Sequence, residues 1–287
     1  MHWEHITGNT EVISLGTSLV PLYHLSDREI VLFDSGAHPS QDLLVEFERR
    51  GIRVRAVLCT HMHPDHIANN CSLARSHDAE IYASAAEIEL TQKTSLWLKE
   101  QGNEFDGMRI EINYPIFKIE DETELTIDGV KFAVLPTKGH SIGHLAFITP
   151  DGVCCFGDAM MSKRQLQYAK MPYMYDVDQA IMSMETIKQT RCCYYVAAHK
   201  EVVPDAEIEA LVDANIKKEL ELYELLRQQV GKPVKVETAI TDLMHAAGIQ
   251  NPRIVEHWLM RQTVRARIEA LVDIGEYRIE GEMIIPI

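Results

Sequence analysis

The stretch RAVLCTHMHPDH, residues 55–66, begins as an apolar run and ends in three histidines and an aspartate. The apolar part predicts a buried β-strand, so the imidazoles emerge where the strand gives way to a loop. Such a polar cluster is costly to bury without a metal ion. Neutral imidazole and carboxylate oxygen are ligands that zinc, iron and manganese accept. We therefore expect a metal site at His61, His63, Asp65 and His66.

The spacing inside this cluster predicts two ions. His61 and His63 alternate around Met62 and can face one ion, whereas Asp65 and His66 can face a second. Further ligands must come from elsewhere in the chain. Three polar residues that each end a predicted strand are the candidates: His140 in LPTKGHSIGH for the first ion, His199 in YYVAAH for the second, and Asp158 in CCFGD as a bridge between them.

The first two thirds of the chain alternates short β-rich runs with amphipathic helical segments, which predicts an α/β fold with layered sheets. The runs ELTI and KFAVLP are joined through Asp128-Gly129, which predicts a type I′ hairpin turn. Helices are expected over residues 41–50, 84–102 and 178–190, and in a segment that begins near His66. Many of the predicted strands end at a polar residue, which places candidate ligands at strand ends.

The composition shifts after His199. A long amphipathic helix is expected from Pro204-Asp205 to Gly231, followed by a short helix, a helix after Asn251-Pro252 and a hairpin that turns near Glu280-Gly281. We predict a catalytic domain over residues 1–204 and a small helical domain over residues 205–287. The order of elements in the second domain resembles a winged-helix module. It is expected to serve packing or dimerisation, so a homodimer is left open, with nucleic-acid binding as the alternative.

Charge and hydropathy limit the partners. The formal charge is −15, which repels phosphate backbones, so we expect no nucleic-acid partner for the protein as a whole. The sequence has no secretory apolar run near residue 1 and no run of about 20 apolar residues that would span a bilayer. A cytoplasmic protein with no membrane partner is expected. Its six cysteines lack metal-knuckle spacing and are interpreted as reduced core residues.

The pattern of ligands resembles the metallo-β-lactamase superfamily over about residues 10–200, in the HxHxDH branch that includes glyoxalase II-like thioesterases, lactonases, β-lactamases and nucleases. The resemblance implies a four-layer αββα sandwich with two divalent ions at one edge of its facing sheets. Zinc is the expected metal, with manganese and iron as alternatives. Carried over by position, the resemblance implies His61, His63 and His140 as ligands of the first ion, Asp65, His66 and His199 of the second, Asp158 as the bridge, and Asp34 as support for the loop.

Two departures from that family pattern bear on function. The last histidine often lies between glycines in the family, whereas His199 lies between Ala198 and Lys200. The lactonase branch has a tyrosine shortly after the bridging aspartate, and Met160 and Met161 occupy that stretch here. The second departure argues against a lactonase.

The expected chemistry is hydrolysis by an activated hydroxide that attacks a carbonyl carbon, with Asp65 orienting the hydroxide or relaying its proton. The substrate is expected to be a small molecule with an apolar acyl group, joined as a thioester, ester or lactone. Two aromatic-rich stretches are candidate pocket walls: Trp97, Phe105, Met108, Tyr114 and Phe117, and then Tyr168, Met171, Tyr173, Met174 and Tyr175. A packing role is the alternative for both.

Two other functions are alternatives to a carbonyl hydrolase. The two predicted domains together resemble the lactamase-beta-like subgroup, which includes endoribonucleases that cleave single-stranded RNA. Four side chains of the last long helix have the four-residue spacing of a phosphate-facing stripe: Arg253, His257, Arg261 and Arg265. A binding protein that keeps the fold without turnover is the third hypothesis, and the complete set of ligands argues against it. His144 is expected to fix the loop of His140 by hydrogen bonding.

Overall fold

A computed structural model describes residues 1–100, 112–250, 252 and 254–287 of the chain. Its first large sheet contains seven described strands in chain order. They are β1 His2–Thr7, β2 Thr10–Leu15, β3 Ser18–His24, β4 Glu29–Phe33, β5 Arg53–Leu58, β6 Glu80–Ser84 and β7 Ile116–Ile119. The strands β1 to β4 are antiparallel, and β4 to β7 are parallel. The parallel half of this sheet carries the loop of the histidine cluster.

The second large sheet has the order β13-β12-β11-β10-β9-β8. Its strands are β8 Glu124–Ile127, β9 Val130–Pro136, β10 Leu145–Ile148, β11 Val153–Gly157, β12 Tyr194–Ala197 and β13 Glu201–Pro204. Only β11 and β12 pair in parallel, so the residues that follow them lie at the same edge of the sheet. Asp128 and Gly129 both have positive φ, 46° and 84°, which confirms the predicted turn between β8 and β9.

Helices cover the outer face of each sheet. They are α1 Gln41–Arg50, α2 Asn70–His77, α3 Ala85–Glu100, α4 Lys163–Tyr168, α5 Val177–Lys188, α6 Asp205–Gln229, α7 Val236–Ala246 and α8 Ile254–Asp273. One buried cluster lies between the two sheets, including Phe33, Phe132 and Phe147. A second buried cluster lies between the first sheet and the helices α1 and α2. A third buried cluster lies between the second sheet and the helices α5 and α6. The predicted four-layer αββα sandwich is confirmed.

The C-terminal helical region is present, with its elements in the predicted order. Its three helices are followed by β15 Tyr277–Glu280 and β16 Met283–Pro286, and β16 also pairs with the short β14 Val234–Lys235. The buried cluster under the second sheet continues into this region through residues such as Leu243 and Leu271. A domain boundary after residue 204 stays a prediction, because this apolar core runs across it.

Five described strands and one described helix were not predicted from the sequence: β1, β6, β7, β13, β14 and α4. The strand β1 is partly exposed at the edge of its sheet, so it lacks the apolar alternation that marks a strand. The helix α4 is only six residues long and buries none of them, so it has no apolar periodicity. Among the described helices, none is long and apolar enough to cross a membrane.

Candidate metal centre

Four loops that follow strands bring the candidate ligands together. The loop after β5 carries the histidine cluster, and the loops after β9, β11 and β12 carry His140, Asp158 and His199. The two sheets are joined here by backbone hydrogen bonds: Leu145 N–H donates to Thr60 O, at 2.8 Å. The predicted residues therefore meet at one edge of the sandwich.

These residues form two adjacent sets, in each of which the potential ligand atoms lie within 4.8 Å of one another. The first set is His61, His63 and His140, and the second is Asp65, His66, Asp158 and His199. Asp158 Oδ2 lies 3.2 Å from His199 Nε2, 3.4 Å from His66 Nε2 and 3.8 Å from His140 Nε2. Asp158 thus reaches both sets, as a bridging carboxylate must.

Thr60 and Asp34 determine which nitrogen of His61 faces the first set. Thr60 N–H and Oγ1–H donate to the carboxylate of Asp34, at 2.7 and 2.8 Å. With its only proton so used, the Thr60 hydroxyl accepts from His61 Nδ1–H at 3.0 Å. His61 Nε2 is left as a lone pair, buried and without a hydrogen-bond partner in the described part of the chain. An ion at the first set would satisfy it.

His66 is oriented in the same way. Its Nδ1–H donates to Asp34 Oδ2 at 2.8 Å, because a carboxylate can only accept. Its buried Nε2 finds no hydrogen-bond partner among the described residues and faces the carboxylate oxygen of Asp158. In the neutral imidazole this nitrogen is a lone pair that faces a carboxylate oxygen, so a cation is needed between them, either a proton or a metal ion that replaces it. The residues present therefore fit a divalent ion at the second set as well.

His140 and His144 have different roles although their loop is shared. His140 Nδ1–H donates to the carbonyl of Tyr173 at 3.1 Å, which leaves Nε2 directed at the first set, 3.1 Å from His63 Nδ1. His144 uses both nitrogens, since Nδ1–H donates to Thr137 Oγ1 at 2.8 Å and Nε2 accepts from Asp158 N–H at 3.2 Å. The prediction that His144 fixes the loop by hydrogen bonding is confirmed.

The electrostatics differ between the two sets. Burial and neighbouring imidazoles hold the pKa of His61 well below its usual range and lower the pKa of His140 to about 4. Burial also opposes protonation of His66, but nearby carboxylates, Asp158 first, outweigh it and raise the pKa of His66 well above 6.5. Burial opposes the charge of Asp158, yet His66 and His199 lower its pKa well below 3.8. The first set offers neutral imidazoles, and the second concentrates negative charge that attracts a cation.

Glu87 is a buried carboxylate that the sequence analysis missed. Its Oε2 accepts from Met62 N–H at 3.0 Å, and its Oε1 accepts from Gly143 N–H at 2.8 Å. It therefore ties the loop of the histidine cluster to the loop of His140. Gly143 lies so close that a Cβ there would be 2.2 Å from Ser84 Oγ. The only feature of the sequence that marks Glu87 is the spacing Ser84-x-x-Glu87, which is typical of the start of a helix. Ser84 Oγ does accept from Glu87 N–H at 3.2 Å.

Asp65 and His199 form the solvent side of the second set. The side chain of Asp65 is 46% exposed, and its Oδ2 lies 3.9 Å from His66 Nε2 and 3.8 Å from His199 Nε2. His199 lies in the turn between β12 and β13, followed by Lys200 with a φ of 64°. Lysine in place of the family's glycine thus keeps the left-handed backbone at this turn. Although Lys200 stands where the family often has glycine, His199 still lies within reach of the second set.

The two aromatic-rich stretches have different positions. Phe105, Met108 and the side chain of Trp97 lie outside the described residues. Tyr114 is buried under the first sheet, and Phe117 stacks on Tyr82 with ring centroids 5.1 Å apart. In the second stretch Tyr173 contacts the rings of His63 and His140, at centroid distances of 5.7 and 5.4 Å. Tyr173 therefore borders the centre, whereas Met171 and Met174 of the same stretch are buried in the core cluster under the second sheet and have a packing role.

The basic stripe of the last helix is largely neutralised. Arg261 pairs with Glu237, and Arg265 pairs with Glu269 at 3.0 Å. Arg253 lies outside the described residues, and His257 is exposed. Paired guanidinium groups offer little free charge to a phosphate backbone.

The sequence profile of the metallo-beta-lactamase superfamily matches residues 19–199. This range contains both sets of candidate ligands and more than half of the chain. The chain therefore belongs to the metallo-β-lactamase superfamily, as its histidine motif predicts.

Curated relatives match about half of the chain at low identity. The hydroxyacylglutathione hydrolase of Methylobacillus flagellatus is 24% identical over 151 residues, which are 52% of this chain and 50% of that protein. The hydroxyacylglutathione hydrolase GloC of Haemophilus influenzae is 26% identical over 136 residues, which are 47% of this chain and 62% of that protein. The chain therefore spans less than two thirds of the length of either relative.

Solved structures share the fold. A metallo-beta-lactamase family protein from Thermus thermophilus has a TM-score of 0.72 at 18% identity, and the match covers 97% of this chain and 99% of that one. The protein TTHA1623, crystallised in a di-iron-bound form, has a TM-score of 0.52 at 25% identity, over 69% of this chain and 96% of that one. The first match includes nearly the whole chain, so the fold of the C-terminal region is shared too.

Proposed function

We propose that the protein is a dinuclear metal-dependent hydrolase that cleaves a small acyl thioester. The observation that carries the proposal is the position of Asp158, whose Oδ2 lies within 3.8 Å of a histidine nitrogen in each set. One carboxylate shared by two sets of ligands is the arrangement that places two ions close together. The seven proposed ligands are His61, His63, Asp65, His66, His140, Asp158 and His199.

Zinc is the metal we propose, because the two sets consist of imidazole nitrogens and carboxylate oxygens in a buried setting. Iron accepts the same ligands, and the relative that holds two irons makes it the alternative. When bound, two such ions supply a Lewis acid for a carbonyl oxygen and an activated water. Asp65 is the exposed carboxylate at the edge of the second set, placed to orient the attacking oxygen and accept its proton.

Thioesters are preferred among carbonyl substrates for two reasons. The relatives named hydroxyacylglutathione hydrolases act, by that name, on an acyl group carried by the thiol of glutathione. The metal centre of this chain also has an apolar wall on the side of the first set, where the ring of Tyr173 contacts His63 and His140. An acyl group fits that wall.

Two cationic side chains line a cavity beside the second set. A cavity of about 440 Å³ opens beside His199 and is lined by Thr17, Arg164, Gln165, Tyr168, Ala169 and Lys200. No acidic side chain is among these residues. Neither Arg164 nor Lys200 has an ion-pair partner in the described part of the chain, although the net charge is −15. Two free cations beside the second set fit an anionic group on the thiol half of the substrate.

We expect the double variant Arg164→Gln with Lys200→Gln to raise KM about tenfold for an anionic thioester, because each lost charge contact at an exposed site is worth up to about 1 kcal/mol. The same variant should leave KM unchanged for a neutral N-acetylcysteamine thioester. S-Lactoylglutathione and an acyl-coenzyme A are suitable anionic substrates, one carrying carboxylates and the other phosphates. Steady-state kinetics at two salt concentrations measure both effects.

The matched control for that experiment removes two cations elsewhere. Arg28→Gln with Lys232→Gln changes the net charge equally and lies in other parts of the fold. It should leave the KM of every substrate unchanged. Equal loss of affinity for anionic and neutral thioesters in the Arg164 and Lys200 variant would contradict an anion site beside His199.

The proposed function as a whole is tested by metal analysis of the purified protein together with a hydrolysis panel of acyl thioesters, esters, lactones, β-lactams and short RNA. Thioester turnover that disappears on chelation and returns with zinc supports the proposal. Asp65→Ala should retain folding and lose most of that turnover. RNA cleavage without thioester turnover would favour the endoribonuclease, and metal binding without any turnover would favour a binding protein.

A further inference from the structure

The orientation of His140 depends on one backbone carbonyl. His140 Nδ1–H donates to Tyr173 O, and this bond directs Nε2 at the first set. Tyr173 lies between α4 and α5, in a segment that forms neither helix nor strand. Backbone bonds anchor the residues just after it, since Tyr175 N–H and Asp176 N–H both donate to Gly139 O. The two peptide groups that flank Tyr173 make no backbone bond in the described part of the chain, so side chains must fix them.

Thr263, on the C-terminal helix α8, bonds the peptide groups on both sides of Tyr173. Met174 N–H donates to Thr263 Oγ1 at 2.7 Å, and Thr263 Oγ1–H donates to Pro172 O at 3.0 Å. A third bond comes from Arg267 Nη1 at 2.8 Å. One completely buried hydroxyl thus uses its proton and both lone pairs. The two peptide groups that flank Tyr173 are thus both bonded to Thr263, and Arg267 Nη2 adds a longer bond to Pro172 O at 3.4 Å.

A buried charge pair holds that hydroxyl in turn. Arg267 Nη1 also donates to the carbonyl of Thr263 at 2.8 Å, and Nη2 donates to Glu219 Oε2 on α6. Arg267 and Glu219 are both fully buried. Replacing a buried ion pair by apolar residues of similar size is often neutral or stabilising, so stability alone does not account for such a pair. Its geometric effect is to fix Thr263 from two helices.

We propose that Thr263, Arg267 and Glu219 are positioning residues of the metal centre, which act on His140 through the carbonyl of Tyr173. The proposal rests on the proposed role of His140 as a ligand. It gives the C-terminal region a function within the centre itself, because α6 and α8 supply the side-chain hydrogen bonds that hold the two peptide groups flanking Tyr173. Loss of these contacts should loosen one ligand and leave the rest of the site in place.

The test compares Thr263→Val with Thr263→Ser. Valine has nearly the shape of threonine but removes all three hydroxyl bonds, whereas serine keeps them. Zinc is titrated into metal-free protein in competition with a chromophoric chelator. We expect Thr263→Val to weaken zinc binding about tenfold or more, as the loss of a contact that orients a metal ligand does. Thr263→Ser should bind zinc as the wild type does, and kcat should fall in the valine variant while KM is unchanged.

Two further variants separate the loss of His140 orientation from a general loss of fold stability. Val264→Ala, at a fully buried neighbouring residue, destabilises the same helix but removes none of the hydrogen bonds to the segment of Tyr173. It should keep wild-type zinc affinity. The paired variant Glu219→Met with Arg267→Met should keep the thermal midpoint and yet weaken zinc binding. Equal weakening of zinc binding by Val264→Ala and Thr263→Val would overturn the proposal.

His140→Ala shows which proposal fails if zinc binding does not change as expected. If His140→Ala still binds two zinc ions with wild-type affinity, the proposed ligand set is wrong. If His140→Ala loses an ion but a folded Thr263→Val protein binds zinc normally, the ligand set stands and the positioning role is overturned.

Discussion

Asp158→Ala is expected to lower kcat for thioester hydrolysis by about 10³-fold, the largest effect on activity of any single substitution proposed. The loss of one electrostatic stabiliser in an active site costs about 10²–10³-fold, and Asp158 contributes to both sets of ligands. The variant should also bind fewer than two metal ions. Turnover and metal content, measured on the same sample, check the two expectations.

Asp213→Ala is the matched control for that substitution. Asp213 is an exposed aspartate on α6 that pairs with Lys188 at 3.1 Å and belongs to neither set. Its loss should leave turnover and metal content unchanged. An Asp158→Ala protein that keeps two ions and near-normal turnover would show that Asp158 does not bridge the sets.

Asp34→Ala is expected to have the largest effect on stability. The carboxylate of Asp34 is buried and accepts bonds from Thr60 N–H, Thr60 Oγ1–H and His66 Nδ1–H. Removing a buried charged acceptor from its partners costs about 3–5 kcal/mol. Asp34 also has a φ of 61°, a conformation that alanine adopts less readily than aspartate. Urea unfolding of the metal-free protein measures the loss.

Asp34→Asn separates the effect of the backbone conformation from the effect of losing the carboxylate. Asparagine tolerates the same positive φ but cannot accept from all three donors. We expect a smaller loss of stability and about 10–100-fold weaker zinc binding, because His66 is no longer oriented. Asp128→Asn, at another aspartate of positive φ, is the control and should change neither quantity appreciably. Wild-type zinc affinity in Asp34→Asn would contradict the orienting role.

The sequence predicts those parts of the centre that are made by neighbouring residues. A strand followed by HxHxDH places the side chains of that motif in one loop. His140, Asp158 and His199 each follow a strand of the second sheet, and the loops after these strands meet at one edge of the sandwich. The turn at Asp128-Gly129 can be predicted from the sequence because both residues tolerate a positive φ. The assignment of these side chains as metal ligands stays a prediction.

The parts that could not be predicted depend on contacts between distant residues. Glu87 carries the signature of a helix start, and nothing local shows that its carboxylate also accepts from Met62 and Gly143. Arg267 and Glu219 look like ordinary charged residues of amphipathic helices, yet both are fully buried. Hydrophobic periodicity assigns charged residues to the exposed face of a helix, so a buried ion pair is invisible to it.

The placement of Asp158 has a thermodynamic consequence for ion binding. A cation at one set would neutralise part of the charge that the other set uses to attract its own ion, while it also orders the shared carboxylate. The two binding free energies are therefore coupled, and linkage requires the coupling to be the same in either order of loading. Zinc titrations should be described by two interacting constants, so that a half-loaded protein is a distinct state with its own affinity for the second ion.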